Sequence, residues 1–415
     1  MPLIKLYQYI LAYLAKQVIK KYRPMVIGIT GSIGKSTTKE AIKIVLDKFF
    51  PVRASYSNYN NEIGMPLSIL NVRLSKHRLR NLWRIIRQSW RLLVGFDKNY
   101  PSILILEMAA DHPGDLSYLT SIARPDLAVL TAITPSHLQF FSNLEGVAKE
   151  KTTIIRNLAS NGWAIINIDD LTIKQYKEKI ETKILTFGLS EQADVRAKEI
   201  YLDQKLLVNK QLKIKGLGFK LSYRGTTIPV YLPKVVARHH LYSVLAGIAV
   251  GLVSDLKLLD ICEALKKYQP IDNRLTLKEG INQSIILDDT YNSSPKAAKA
   301  ALTTLAELGD GYPVRRWAIL GDMLELGNYT EEEHWAVGKL VAKLKIDFLV
   351  VIGEQAKIIS RAAKTKGFPI ENIFIFNDLA KAGKLLQEEL IKNDLVLIKA
   401  SRAFRLEKLV EMIVK

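Results

Sequence analysis

One cysteine, Cys262, is present in 415 residues, so an internal disulfide framework is excluded and stability must come from packed cores. The first apolar segment offers no uninterrupted stretch of the ~20 residues that a membrane-spanning helix needs, because Lys5, Lys16, Lys20 and Lys21 break it up. No small-residue cleavage site follows that segment, so a secretory signal is not expected and the cytoplasm is the expected compartment. Acidic residues are the scarcer charge: 41 Asp and Glu against 60 Lys and Arg leave a formal net charge of +19. Such an excess draws polyanions, whether nucleic acid, anionic lipid headgroups or a phosphate-bearing substrate. Zinc-knuckle spacing, RNP-like aromatic motifs and long single-sign tails are all missing, so nucleic acid is not expected as a partner. There is no internal repeat or low-complexity tract, and the 48% of hydrophobic residues are enough for two or three ordinary globular cores.

The basic residues are unevenly placed. From Met1 to Arg23 the lysines interleave with Leu3, Leu6, Tyr7, Ile10, Leu11 and Leu14, and from Lys76 to Phe96 five arginines accompany Trp83 and Trp90. Both segments have the composition of a helix lying in a membrane interface. They fit equally well as two helices that pack their apolar faces on the protein and leave their charge in water, so contact with the inner face of the cell membrane through residues 1–23 and 76–96 stays open.

The most informative stretch is Gly28-Ile29-Thr30-Gly31-Ser32-Ile33-Gly34-Lys35-Ser36-Thr37-Thr38, which joins an apolar strand to a helix-compatible run. A glycine-rich turn of this kind aims backbone N–H groups and a helix N-terminus at phosphate oxygens, with a lysine to neutralise them and a hydroxyl for Mg²⁺. Ile29 stands where the strict phosphate-loop pattern has its first glycine. The stretch reads as a nucleoside triphosphate site, with Thr30, Gly31, Ser32, Gly34, Lys35, Ser36 and Thr37 around the phosphates.

From Met25 onward, apolar runs alternate with segments of helical period. Val26–Thr30, Ile103–Met108, Leu127–Ile133 and Trp163–Asp169 read as buried strands, and Asp194–Tyr231 as an antiparallel subsheet. Arg238–Val253 reads as one buried helix. A second series follows with five candidate strands: Ser284–Tyr291, Trp317–Met323, Phe348–Gly353, Ile373–Phe376 and Leu395–Ala400. The fold class is therefore α/β: a phosphate-loop central domain with a mostly parallel sheet and a small antiparallel subsheet, then a Rossmann-like C-terminal domain. The expected boundaries are an amphipathic N-terminal helix at 1–24, a central domain at 25–270 and a C-terminal domain at 271–415, with the joint near Gln269–Asn273.

Glu107 closes one apolar strand and His137 follows another, so both fall at the C-terminal strand ends where open α/β sheets gather their ligands. Either could reach a Mg·ATP bound at the loop, although a lone glutamate or histidine is more often a surface or capping residue.

Several blocks resemble, in order, the Mur ligases of peptidoglycan synthesis: ITGSIGKSTTKE, SNYNNEIGMPLSIL from Ser57, the acidic strand end at Glu107 and SHLQFFSNLEGVAKEK from Ser136, then DDTYNSSP from Asp288, AILGDMLELG from Ala318 and IKASRAFRLE from Ile398. The resemblance runs from about Pro24 to the C-terminus. NYNNEIGMP and DDTYNSSP favour the branch that adds D-alanyl-D-alanine over folylpolyglutamate synthetase and the other Mur enzymes. What the resemblance implies is an ATP-dependent amide ligase joining D-alanyl-D-alanine to UDP-N-acetylmuramoyl-tripeptide through an acyl phosphate. It implies Lys35 and Arg274 on the phosphates, and Ser36 and Glu107 on a first Mg²⁺, with His137 on a second. It places Asp289, Tyr291 and Asn292 at the ribose and adenine, Lys399 and Ser401 toward the amine substrate, and Asn58, Asn60 and Asn61 toward the peptide. Lys151 aligns with the lysine that these enzymes carry as a carbamate, whereas alone Lys149-Glu150-Lys151 reads as solvated helical charge. A monomer is expected.

Three departures accompany the resemblance. Relatives open with a domain that holds the UDP-sugar, and here the loop begins after about two dozen residues; a partner protein, the basic surface or a lipid-linked acceptor would then take its place. His240 and Ser243 stand where the family block reads H-N-x-x-N, and Glu107-Met108-Ala109 lacks the glycine usual after the acidic strand end. A Mur-type ligase with a lipid-linked or polyamide acceptor, and a catalytically silent ATP-binding scaffold at the membrane, are the competing readings.

Overall fold

A computed structural model describes residues 2–415 except 57, 76, 77, 135–137 and 142. Two sheets organise it. In the first, β1 (Met25–Thr30), β2 (Val52–Ala54), β3 (Ile103–Glu107), β4 (Leu127–Leu130), β5 (Trp163–Asn167) and β6 (Lys183–Gly188) are followed by β7 (Val195–Leu206), β8 (Leu212–Tyr223) and β9 (Thr226–Leu232), in the spatial order β2-β3-β1-β4-β5-β6-β7-β8-β9. Strands β2 to β7 pair in parallel. β7 and β8 are joined by five residues, and β8 and β9 by Arg224-Gly225 alone, connections that only antiparallel strands allow. Arg224 and Gly225 both take positive φ, 45° and 81°, the geometry of the tight hairpin turns that match strand twist.

The expected strands form, but several stop one to three residues early. Ile133, at the end of the Leu127–Ile133 run, is buried beyond the ladder, its N–H given to Asp170 Oδ2 at 3.0 Å. Apolar runs signal burial, not pairing, so their last residues belong to the loops above the sheet. In the second sheet β10 (Thr276–Glu279), β11 (Ile285–Asp288), β12 (Arg316–Gly321), β13 (Phe348–Ile352), β14 (Ile373–Phe376) and β15 (Leu395–Lys399) take the order β10-β11-β15-β12-β13-β14. Only β10, an edge strand missing from the sequence reading, pairs antiparallel. Its faces are only partly buried, so TLKE carries no apolar run. The doubly wound character shows in alternation: Leu287, Leu320, Leu349 and Leu397 face one cluster, while Ile286, Ile319, Val350 and Ile398 face the other.

The chain divides into two compact units: residues 1–199, 219–230 and 241–268, and residues 200–218, 231–240 and 269–415. Residues 200–218 and 231–240 thus group with the C-terminal part instead of with 25–270. The cause is local, since Leu212 lies in the second unit's core and its N–H is given to Asn393 Oδ1 at 2.8 Å.

In the first unit, helices α1 (Pro2–Tyr22), α2 (Lys35–Leu46), α3 (Gly64–Leu70) and α4 (Arg78–Val94) accompany the sheet. Leu11, Ala15 and Val18 of α1, spaced by helical turns, share one core with Leu104 and Leu106 of β3 and Leu67 of α3. The N-terminal segment is therefore part of the first unit and not a separate body. Leu11→Ala, at a fully buried position, is expected to lower unfolding stability by about 2–5 kcal/mol in denaturant titration; a loss below ~0.5 kcal/mol would show that α1 is not integral to that core.

Candidate functional site

β1 lies between β3 and β4, and its register sets Ile29 beside Glu107 and Thr30 beside Leu130. Three parallel strands therefore end together at the point where the chain crosses from one side of β1 to the other, the place such sheets reserve for ligands. The loop from Thr30 to Lys35 emerges there. Gly31 and Gly34 take φ of 148° and 84°, and a Cβ on Gly31 would meet Thr131 Oγ1 at 2.0 Å. Thr131 fastens the loop by donating to the Ile33 carbonyl at 2.6 Å, and Ser32 N–H bonds Ala132 O at 2.7 Å. Gly34 precedes α2 without any side-chain cap, and the first turn of a helix directs its N–H groups and partial positive charge toward an anion. Lys35 Nζ folds back on Gly31 O at 2.7 Å. Thr30 Oγ1 donates to Met108 O at 2.8 Å and Thr37 Oγ1 to Gly34 O at 2.9 Å, so both hydroxyls hold the loop.

Glu107, 4% exposed, accepts from Ser36 Oγ at 3.0 and 3.2 Å and from Asn60 Nδ2 at 3.2 Å. Lys39 Nζ stands 3.8 Å from it and bonds Ser55 O at 2.8 Å. Lys39, Ser55 and Thr131 were not legible as site residues, although Lys39 falls one turn after Lys35 on the same face of α2. The Ala109 N–H, after the position that lacks a glycine, reaches Asn60 O at 2.9 Å, so the NYNN block lies against the end of β3. Within that block Asn58 takes φ 63°. Asn61 Oδ1 accepts from Gly64 N–H at 2.9 Å at the start of α3, which is a structural task. Ser243 is buried against α2, donating to Thr37 Oγ1 at 2.9 Å and accepting from Thr38 Oγ1 at 3.2 Å. It braces the helix behind the loop.

Lys151 lies on the helix Leu144–Arg156 and is only 2% exposed, contrary to a solvated charge. Burial, aided by the nearby Lys35 charge, lowers its pKa to about 7 against the pull of Asp111, Glu150 and Asp115. Its neighbour Glu150 is used structurally, accepting the N–H groups of Gly114 at 3.0 Å and Leu116 at 2.8 Å. His137 lies outside the described residues. Among the described residues no group of three or more His, Cys, Asp or Glu forms a ready metal cage.

The second unit has its own cluster at the C-terminal ends of β11 and β15. Lys399 Nζ is 2.6 Å from Asp289 Oδ2 and donates to Asn292 O at 2.8 Å. Burial pushes the Asp289 carboxyl up although the Lys399 charge pulls it down. Asp288, fully buried, is held by Lys278 at 2.6 Å and by Asn273 and Thr290. The Arg274 guanidinium covers the Tyr291 ring at 4.0 Å. Ser401 Oγ accepts from Leu324 N–H at 2.8 Å. Burial, with Lys399 near, lowers the pKa of His239 to about 4, and His240 is held well below the usual imidazole range by burial and by His239 and Arg274.

Comparison with known proteins connects these features. Residues 90–251 match the Mur ligase middle domain, and residues 273–402 match the Mur ligase, glutamate ligase domain. The UDP-N-acetylmuramoyl-tripeptide–D-alanyl-D-alanine ligase of Buchnera aphidicola is 30% identical over 393 residues, covering 94% of this chain and 75% of that protein. The chain belongs to the Mur ligase family. The Bacillus subtilis ligase of the same name is 29% identical over 405 residues, 98% of this chain and 79% of the relative. The MurF ligase of Thermotoga maritima, solved in complex with ADP, superposes with a TM-score of 0.78 at 28% identity, covering 98% of this chain and 83% of that one. The phosphate loop and the NYNN block lie inside these matches, which span 94–98% of this chain.

The state of Lys151 can be read from stability. From about pH 7 up to its ordinary value of 10.5 the folded amine is neutral while the unfolded one stays protonated. The unfolded chain then binds the extra proton, so this group adds up to about 1.4 kcal/mol of stability for each pH unit gained. Lys151→Met is expected to flatten the rise of unfolding free energy from about pH 7 to about pH 9 in denaturant titrations. An unchanged slope would show that the amine is not buried in its neutral form.

Proposed function

We propose that the chain is an ATP-dependent amide ligase that joins D-alanyl-D-alanine to the terminal carboxyl of UDP-N-acetylmuramoyl-tripeptide. The observation that carries this reading is the Glu107–Ser36 contact beside an uncapped phosphate loop, with the buried low-pKa Lys151 close to Lys35. Phosphoryl transfer asks a protein for charge neutralisation and alignment and for little covalent chemistry. The loop N–H groups and Lys35 hold the β- and γ-phosphates. A carboxylate oxygen of the tripeptide attacks the γ-phosphorus as the bond to ADP breaks, giving an acyl phosphate. The amine nitrogen of the dipeptide then attacks the acyl carbon, phosphate leaves, and the nitrogen loses its extra proton to the medium.

The Ser36 hydroxyl and Glu107 carboxylate are the hard oxygen donors that suit Mg²⁺, which takes few protein ligands beside substrate phosphates. When bound, that ion neutralises developing charge on the transferring group. His137 and a Lys151 carbamate are the residues we assign to a second ion. An amine with a pKa of about 7 is available as the free base near neutrality; its lone pair forms a bond to the carbon of CO₂ and one proton is released. Asn60, held at Glu107, and Asn58 face the peptide-bearing substrate in this reading. Arg274 is assigned to the ATP phosphates, Asp289, Tyr291 and Asn292 to the nucleoside, and Lys399 and Ser401 to the amine substrate.

Phosphate release from ATP and Mg²⁺ is expected only when D-alanyl-D-alanine and UDP-N-acetylmuramoyl-tripeptide are both present, with a pentapeptide product in the mass spectrum. Nucleotide binding without turnover would overturn the choice of acceptor and point to a lipid-linked one. Lys35→Ala is expected to weaken nucleotide binding by about tenfold or more, as the loss of a charge-assisted contact does. Lys151→Ala is expected to abolish ligation while ATP binding persists, with partial rescue by short carboxylates, and to remove a carbamate signal seen by ¹³C NMR with labelled bicarbonate. Unchanged turnover in that variant would refute the carbamate assignment.

A further inference from the structure

Helix α4 makes a demand on its surroundings that the rest of the first unit does not meet. At the α-helix's ~100° per residue, fourteen of its 17 residues sort into three arcs, while Leu93 packs partly buried against the core. One arc, Asn81, Ile85, Gln88, Ser89 and Leu92, is turned into the protein, with Ile85 and Leu92 in the core beside α1 and α3. The next arc is apolar as well, carrying Leu82, Trp83, Ile86, Trp90 and Val94, and it is exposed, Trp83 by 59% and Trp90 by 69%. The third is basic: Arg80, Arg84, Arg87 and Arg91. The helix contains no acidic residue. Arg91 pairs with Asp97 at 2.7 Å, whereas Arg80, Arg84 and Arg87 have no acidic partner among the described residues. These three line one shallow groove with Arg73 and Trp83.

An amphipathic helix that only packs on its own protein needs a single apolar face. α4 has that face and then a second, tryptophan-bearing one bordered by arginines. Large exposed apolar patches on a folded unit mark interaction surfaces. The neighbouring α1, tied to α4 by Tyr22 OH to Leu92 O at 3.0 Å, likewise exposes Leu6, Tyr9, Ile10 and Tyr13 opposite its buried Leu11 and Val18. No helix among the described residues is long and apolar enough to cross a membrane.

We infer that the exposed face of α4 docks on the surface of an anionic phospholipid bilayer, with Trp83 and Trp90 at headgroup depth and Arg80, Arg84 and Arg87 on lipid phosphates. Tryptophan favours that interface because its ring is apolar and its N–H is wet. The paired apolar and cationic arcs match the two layers of a bilayer surface, and a net charge of +19 supplies the long-range attraction. A protein partner would have to offer an acidic rim beside an apolar trough, whereas a bilayer with anionic headgroups provides both without a specific fold. The inference does not depend on the ligase reading.

The test uses the full chain with vesicles of phosphatidylcholine alone and of phosphatidylcholine and phosphatidylglycerol in equal parts. Co-sedimentation with the anionic vesicles only, a blue shift of tryptophan emission and weakening by added salt are expected. The double variants Trp83→Ser/Trp90→Ser and Arg84→Ser/Arg87→Ser should each bind roughly tenfold more weakly or worse, with circular dichroism and unfolding midpoint preserved because all four side chains are exposed. Failure to sediment with anionic vesicles, or binding by both variants as tight as the parent's, overturns the inference. So does displacement by inorganic pyrophosphate at matched phosphate concentration, which would make the groove a site for a free anion. A dimer in light scattering that the tryptophan variant abolishes, without vesicle binding, would assign the face to a second copy of the chain.

Discussion

A carboxylate buried at the end of β3 is the constraint around which the first unit is arranged. Taking Glu107 out of water costs several kcal/mol unless its oxygens find donors, and they come from elsewhere in the chain: Ser36 from α2, Asn60 from the loop before α3, and the more distant charge of Lys39. The Ser55 hydroxyl, following β2, accepts the Glu107 N–H, and the Ser55 carbonyl accepts from Lys39 Nζ. The phosphate loop, the NYNN block and two strand ends are thereby tied to one charge. None can shift without exposing an uncompensated anion. These donors are exchangeable, so the same carboxylate can turn to a hard cation when one arrives with a phosphate ligand.

The lesson for reading such a chain is uneven. Buried parallel strands announce themselves because both faces are covered and the run is continuously apolar, as in MVIGIT and ILILE. β10 and the three-residue β2 were silent, being short and half-buried. The phosphate loop was legible since glycine spacing and the following hydroxyls are dictated by backbone geometry. Lys151 was not, because KEK has the same composition on a wet helix face as on a buried one. Only tertiary packing separates the two, and here it leaves Lys151 2% exposed. Asn61 and Ser401, singled out by motif, also satisfy backbone N–H groups. Polar residues in a motif can serve the loop that presents the site as readily as the ligand.

The grouping of residues 200–218 and 231–240 with the C-terminal unit follows from a similar limit. Alternation along β7 and β8 shows which side of a strand is apolar, but not which core receives each end of a long hairpin. Leu202, Leu206 and Ile214 pack on the second unit's core, and Gln204 Oε1 accepts the Gly309 N–H at 2.9 Å. A linear reading places a domain boundary at a proline and a polar run; contacts made far along the chain move it.

Both sheets collect charge at the same end. Parallel strands finish side by side and the helices that follow start there, so uncapped N–H groups and partial positive charge accumulate. In the first unit that end is left open at α2. In the second it is already neutralised, with Asp288 held by Lys278 and Asp289 by Lys399. This difference governs how variants in the second cluster should be interpreted. Removing Lys399 alone strands a buried Asp289 carboxylate, a loss that destabilises whether or not Lys399 touches substrate. Asp289→Asn/Lys399→Met removes both charges and leaves no stranded ion. If Lys399 receives the amine substrate, the double variant should unfold near the parent's midpoint, and it should lack ligation while Asp289→Asn alone keeps ATP binding and turnover, which separates a chemical role of Lys399 from a structural one.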